Sequence, residues 1–243
     1  MTGSWRAFGR LLLLQASWTY ERMQGVGMGF AALPLLQPLR AEPERYRAAV
    51  ARAADYFNAN PYLAGIALGA EARAELDGAP GEQVQRLRTA LCGPLGSLGD
   101  QLFWVGLVPG LAGLTLSGAT RGGGAWVVAA FVALHNAVRL GVGYWALRAG
   151  AAAGLGVSGA LARSKLPLAA AYAGRFAGFG VGIALPAVGA WFLRAGGAAG
   201  WLAAGAAALA GAGVARVQVR LPSPVTLTLV ALALALLWRW SGA

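Results

Sequence analysis

Residues 176–193 read FAGFGVGIALPAVGAWFL, an uncharged run closed by Arg175 on one side and Arg194 on the other. A membrane helix needs about 20 largely apolar residues, and this stretch supplies nearly that number without interruption. Two further runs follow, Ala195 to Ala215 and Leu221 to Trp238. The last ends in Trp238 and Trp240 around Arg239, as an interfacial aromatic anchor does. Upstream, Gly122 to Val138 forms a fourth candidate span, opened by Gly122-Gly123-Gly124 and closed by Arg139. The expected fold class is therefore an all-α membrane protein, a polytopic helical bundle with spanning helices in its second half.

The composition agrees, because 58% of the 243 residues are hydrophobic and only 12% are charged, half the share of charge in an average soluble domain. All nine acids (Glu21, Glu42, Glu44, Asp55, Glu71, Glu75, Asp77, Glu82 and Asp100) precede residue 101. The chain thus divides into a motif-bearing part, 1–120, and an acid-free hydrophobic part, 121–243. A net charge of +11 on a soluble chain would suggest nucleic acid as partner. Here the basic residues stand singly between apolar runs, which fits membrane lipid headgroups and argues against nucleic acid. A single cysteine, Cys92, and a single histidine, His135, exclude an intrachain disulfide framework and make a protein-only metal site implausible. At the N-terminus, Arg6 and Arg10 precede Leu11 to Leu14 in the manner of a signal peptide. Gln15, Ser17, Glu21 and Arg22 interrupt that run, so the segment is expected to be retained and structural.

The first hundred residues have shorter, broken apolar stretches. Met23 to Leu39 contains Gly25, Gly27, Gly29, Pro34 and Pro38; Tyr56 to Ala70 opens with Asn58, Asn60 and Pro61. Leu91 to Gly110 holds Gly93, Pro94, Gly96, Gly99, Asp100, Pro109 and Gly110. Interrupted backbone at membrane depth must be buried in protein or line a watery cavity, so broken or re-entrant hairpins are expected here. The mixed-charge connections Arg40 to Asp55 and Glu71 to Arg88 are expected to be solvated amphipathic surfaces.

Several polar residues carry candidate chemistry, each with a plainer structural reading beside it. Asp100 is the only carboxylate between Thr89 and Thr120; it marks either a site or a helix-start cap. Glu21 and Arg22 are adjacent, so they point to different helix faces and each needs a partner elsewhere. Amides and carboxylates beside aromatic rings suit a sugar, whose hydroxyls take paired hydrogen bonds while a ring covers the apolar C–H face. Trp18 and Tyr20 fit that role or serve as interfacial anchors. Asn58 and Asn60 fit the tip of a re-entrant hairpin facing a ligand, although Asn60 followed by Pro61 is also a good helix start. His135, with Asn136, has no carboxylate or thiol in its own half to activate it and is expected to be hydrogen-bonded and structural. Cys92 reads as a packing residue. With no phosphate loop, no nucleophile triad and no metal cluster, the chain has no catalytic residues of its own and no cofactor is expected.

Three segments carry a family resemblance. They are Gln15-Ala16-Ser17-Trp18-Thr19-Tyr20-Glu21-Arg22-Met23-Gln24, Tyr56-Phe57-Asn58-Ala59-Asn60-Pro61-Tyr62 and Gly93-Pro94-Leu95-Gly96-Ser97-Leu98-Gly99-Asp100-Gln101-Leu102-Phe103-Trp104. In this order they resemble enzyme IID, a membrane subunit of the mannose/fructose/sorbose family of the bacterial sugar phosphotransferase system, with His135 and Arg139 as a weaker fourth landmark. The resemblance implies a bacterial inner-membrane, multi-pass subunit that pairs with a IIC subunit in a trimer of such heterodimers. Soluble IIA and IIB partners would relay phosphate, IIB phosphorylating the incoming hexose or amino sugar. Carried over by position, Gln15, Glu21, Asn58, Asn60 and Trp104 would line the sugar site. Trp18, Pro61, Gly93, Pro94, Gly99 and Asp100 would be structural or adjacent to it. The second motif usually reads Phe-Phe-Asn-Thr-His-Pro in this family, whereas Ala59 and Asn60 stand here. An Asn hydrogen-bonds a hydroxyl but does not titrate. That departure, together with shorter loops at 78–88 and 163–175, motivates an alternative: a non-transporting scaffold or regulator that docks phosphotransferase proteins.

Overall fold

A computed structural model describes residues 3–216. The expected span Leu221 to Trp238 and its anchor Trp240 lie outside them. Among the described residues nine α-helices follow one another with no strand. They are α1 (Ser4–Leu11), α2 (Gly25–Ala32), α3 (Pro43–Ala53), α4 (Ala64–Leu76), α5 (Gly81–Asp100), α6 (Val108–Ala119), α7 (Gly124–Ala153), α8 (Val157–Ala162) and α9 (Leu166–Arg216). A π-helical stretch, Gln101–Leu107, joins α5 to α6, so residues 81–119 run as one helix.

The core of the first half is built around α4. Its small apolar residues on every face leave nowhere for it but the interior, and Ala64 to Ala72 are all buried. Phe8, Leu11 and Leu14 from the N-terminal segment, Met28, Leu35 and Leu36 around α2, and Leu87, Leu91 and Leu95 of α5 close over it. The N-terminal Leu run is thus structural, as its interrupting polar residues imply. On the remaining side α4 meets α7 at unusually short range. A Cβ added at Gly69 would lie 2.2 Å from the Leu147 carbonyl oxygen, and one at Gly150 would lie 2.0 Å from that of Ile66. The second interface, between α6 and α9, uses the same device: a Cβ at Gly113 would sit 2.3 Å from the Gly180 carbonyl. Small residues that let helix backbones touch are what holds helices together where lipid removes the hydrophobic driving force.

Among the described residues three helical stretches are long and apolar enough to cross a membrane: Gly81–Ala119, Gly124–Ala162 and Leu166–Leu202. Their limits differ from those read in the sequence. The helix expected to close at Val138 continues through Arg139 and Arg148 to Ala153, because Ala146, Leu147 and Gly150 find their place on α4. The span beginning at Phe176 starts ten residues earlier, at Leu166, and Arg175 interrupts nothing. A break at Gly197 (φ 53°) separates it from the following run, in keeping with the division at Arg194-Ala195. Leu91 to Gly110, expected to be broken, is continuous. Pro94 is carried inside α5, and Pro109 follows directly on the π-helical stretch, whose wider register accommodates a residue without an N–H.

The glycine contacts predict opposite outcomes for one substitution. Gly150→Ala should lower the thermal stability of the detergent-solubilised chain by about 1–3 kcal/mol, the range for overpacking, since the new methyl meets backbone. Gly178→Ala on α9, with nothing within 4 Å, should leave it unchanged or slightly higher. Melting curves of the two variants in one detergent check both.

Candidate functional site

The three motifs meet at the non-helical segment 55–60, between α3 and α4, and each is tied to it by hydrogen bonds. Motif one arrives as a tight loop. The Met23 N–H donates to the Thr19 carbonyl at 2.8 Å, the Arg22 N–H donates to Thr19 Oγ1 at 3.2 Å, and Met23 takes the left-handed conformation (φ 51°) unusual for a residue with a Cβ. The chain then pairs with motif two. The Gln24 N–H donates to the Phe57 carbonyl (2.9 Å), and the Gln24 side chain treats Ala59 as a neighbouring strand would: Nε2 donates to the Ala59 carbonyl at 2.8 Å and Oε1 accepts from its N–H at 3.3 Å. Gln24 is 3% exposed, so this amide serves the fold.

Motif three is joined through Asn60. Its Nδ2 donates to Asp100 Oδ1 at 2.9 Å, and its Oδ1 accepts from the Tyr62 N–H at 3.0 Å. Its carbonyl accepts from the Leu63 and Ala64 N–H groups that lead into α4. Asn60 therefore opens the turn 61–63 that leads into α4, with Pro61 next, while the N-cap position of α4 itself falls at Leu63 and not at the Asn60 expected from the capping preferences. Asn60 is 2% exposed, buried against Gly99, where any Cβ would overlap its side chain at 2.3 Å. Asp100 is neither a helix-start cap nor isolated; it lies at the far end of α5 and takes the Asn60 amide.

The backbone just before Asn60 depends on a group the charge pattern hides. Arg88, 1% exposed, donates from Nε to the Tyr56 carbonyl (3.1 Å), from Nη2 to those of Ala53 (3.0 Å) and Asp55 (2.8 Å), and from Nη1 to Glu71 Oε2 (2.6 Å). Its guanidinium also covers the Phe57 ring, 5.0 Å from the centroid. Nearby, Arg52 clasps Glu75 with two bonds of 2.7 and 2.8 Å. Glu71, Glu75 and Arg88 are thus buried, contrary to the solvated face expected for 71–88: the carbonyls of Ala53, Asp55 and Tyr56 need a donor that water cannot supply there, and each carboxylate meets a guanidinium, Glu71 that of Arg88 and Glu75 that of Arg52. Burial pushes the Glu71 carboxyl up to about 7, against the downward pull of Arg88, and its Oε1 has no hydrogen-bond partner.

Around this frame the expected site residues divide. Gln15 lines a small cavity of about 100 Å³ with Pro61, Tyr62 and Arg139. Trp104 leans on Tyr62, ring centroids 5.7 Å apart, with half its surface open. Tyr62 also meets Phe103 (4.5 Å), His135 (6.1 Å) and the Arg139 guanidinium (5.7 Å), so the fourth landmark reaches the same place. His135 stacks on Phe131 at 6.0 Å, and its buried Nδ1 has no hydrogen-bond partner, which departs from the hydrogen-bonded role expected of it. Asn58 and Glu21 are exposed, and neither Glu21 nor Arg22 forms an ion pair among the described residues. Trp18 packs edge-on against Tyr20 (4.8 Å). Gly93 and Pro94 lie exposed on α5 about two turns before Asp100. Cys92 is half-buried and packs against the core, as expected. Gln24, Arg88 and Tyr62 were not among the expected site residues, although Gln24 and Tyr62 stand inside the quoted motifs.

Residues 3–183 match the family model described as the mannose/fructose/sorbose family IID component of the sugar phosphotransferase system. The chain belongs to this family. This IID chain is 31% identical over 160 residues to the mannose-specific IID component of Escherichia coli K12, covering 62% of itself and 55% of that protein. It is 29% identical to the fructose permease IID component of Bacillus subtilis (65% and 59% covered) and 33% identical to the sorbose-specific IID component of Klebsiella pneumoniae (62% and 56%). It therefore spans little more than half the length of these curated relatives. Among solved structures it resembles a chain of the mannose transporter ManYZ complexed with microcin E492, at 28% identity and a TM-score of 0.59, over 75% of this chain and 69% of that one. A second structure, described only as a membrane protein, gives a TM-score of 0.65 at 28% identity, over 74% and 67%. The IID chain is thus an all-α, membrane-embedded component of a phosphotransferase system.

Two outcomes follow for the buried charges. Arg88→Ala strands Glu71 and three carbonyls, and should cost about 3–5 kcal/mol of stability, the range for breaking a buried pair, seen as loss of the monodisperse peak on gel filtration or a large drop in melting temperature. Glu71 has a folded-state value above its unfolded one, so its protonated form favours the fold. That contribution is complete below about pH 4.5 and is lost as pH rises through about 7. The stability of wild type relative to Glu71→Gln should accordingly fall between pH 5 and pH 8; a difference independent of pH would contradict it.

Proposed function

We propose that this protein is the IID-type half of a sugar translocator in a bacterial inner membrane, crossing it several times and completing a sugar pathway with a IIC-type subunit. The motif-bearing residues 1–120 supply the polar lining, and residues 121–243 supply the acid-free membrane helices. The substrate class is a hexose or amino sugar of the mannose type, phosphorylated on arrival by a IIB partner that IIA recharges, in an assembly of three IIC–IID pairs. The single observation that carries this reading is the convergence of the three motifs on segment 55–60 through Gln24, Asn60 and Asp100. Family membership supports it, as does the likeness to a mannose transporter chain.

Within the reading, Asn58, Gln15, Glu21 and Trp104 are the groups offered to sugar, because each keeps exposed polar or aromatic surface. Asn60 acts behind them, its amide already committed to Asp100 and the Tyr62 N–H. A second reading draws on that same burial: a residue standing where the family carries His has become purely structural, as in a scaffold or regulator that no longer transports.

Cells carrying the chain with a IIC subunit and complete IIA and IIB separate the two. Concentrative uptake of radiolabelled mannose-type sugar, with IIC co-purifying in mild detergent, is the expected result; assembly without uptake of any such sugar favours the scaffold. In a transporting complex, Asn58→Ala should weaken sugar binding by about 1–3 kcal/mol, the cost of a lost buried hydrogen bond, while leaving the IIC partner bound.

A further inference from the structure

A cavity larger than the one beside Gln15 lies away from the motifs. It is an open cleft of about 670 Å³ at the other end of α4, where the start of α1 meets the last turns of α4 and α7, and it is lined by Trp5, Arg6, Arg73, Tyr144, Arg148 and Ala151 among others. Three arginines from three separate helices face one space. Arg73 gives its Nε to Asp77 Oδ2 at 2.8 Å, which leaves both Nη nitrogens uncommitted. Neither Arg6 nor Arg148 has a carboxylate partner among the described residues. The cleft thus carries three positive charges against the one negative charge of Asp77, and no acid occurs after residue 100 to neutralise Arg148. Backbone contact between α4 and α7 at Gly69 and Gly150 fixes the spacing of Arg73 and Arg148, so their convergence is part of the packing.

We propose that this cleft binds the phosphate of an anionic phospholipid headgroup. Planar guanidinium groups with several free N–H donors suit a phosphate ester, which offers oxygens in a matching fork. A free phosphate ester shares that chemistry; what favours a lipid is the apolar part of the wall. Trp5 stacks on Tyr144 with centroids 4.0 Å apart and remains 68% exposed, an amphipathic ring pair of the kind that sits at headgroup level. Ala151 and Ala152 complete a smooth surface beside it. Arg148 stands near the end of a 30-residue apolar helix, where a spanning segment reaches the headgroups. Phosphate on the arginines and glycerol against the rings would place the acyl chains along α7.

The test is native mass spectrometry of the full chain, purified in detergent and exposed in turn to phosphatidylglycerol, phosphatidylcholine, inorganic phosphate and glucose 6-phosphate. Preferential retention of phosphatidylglycerol is expected, reduced about tenfold or more in an Arg6→Gln/Arg148→Gln double variant. Arg47→Gln, an exposed and ion-paired arginine on α3, should leave retention unchanged. Equal retention of phosphatidylglycerol and phosphatidylcholine by wild type overturns the proposal without any variant. So does an equal loss in Arg47→Gln, and so does displacement of the lipid by millimolar inorganic phosphate or glucose 6-phosphate, which would assign the cleft to a free anion.

Discussion

One guanidinium holds the polar half of this molecule together. The last turn of α3 ends in carbonyls that have no intrahelical partner, and the chain leaves that helix inside the protein. Arg88 answers the carbonyl of Ala53 at the end of α3, those of Asp55 and Tyr56 in the segment that follows, and Glu71, with its three nitrogens, and lays its flat face on Phe57. With residues 53–57 fixed, Gln24 finds Ala59 at hydrogen-bonding distance, and Asn60 is delivered to Gly99 and Asp100. A lysine would carry the same charge but not the planar fork, so it would leave at least one of these acceptors without a donor. The price of the arrangement is a carboxylate kept away from water with one oxygen unbonded, which the protein tolerates at α4 because Arg88 is fully committed beside it.

Much of the architecture was legible because membrane residence writes itself in long uncharged runs. The helices near residues 122–138 and 176–193 and the break near residue 195 could be read from the spacing of arginines alone. Their ends could not, since Arg139 and Arg148 interrupt nothing when the same helix also carries Ala146, Leu147 and Gly150 for packing on α4. Pro94 and Pro109 misled in the other direction. A proline counts as a break in a sequence, but Pro94 is carried inside α5 and Pro109 follows directly on a π-helical turn, with no interruption at either.

The candidate site was legible as motifs and not as geometry. Asn60 and Asp100 were each recognisable as polar residues in apolar company, yet the bond between them spans 40 residues and no local pattern announces it. Glu71 and Arg88 are the harder case. A mixed-charge segment reads as a wet surface, and the inward turn of two of its members depends on where α3 ends, which is a property of the packed structure. Gln24 and Glu21 stand in the same motif, and nothing local in the sequence tells which of them turns inward. Burial reverses their roles: the amide that can both donate and accept fits the Ala59 peptide, and the carboxylate, acceptor only, stays outside.

The same logic of satisfied and unsatisfied surfaces explains the contrast between the two halves. The buried polar contacts of Gln24, Asn60, Glu71 and Arg88 are turned inward onto segment 55–60 or α4, while the most apolar window of Gly124–Ala162 has none of its residues buried in the chain and that of Leu166–Leu202 has 17%. Such faces are stable only against lipid or another apolar chain. Glycine contacts between backbones give α7 and α9 their attachment to α4 and α6 without consuming that outer surface. Helices held by their small residues and bare on their large ones can meet a membrane on one side while their inner faces keep the buried ion pair and the three motifs in register.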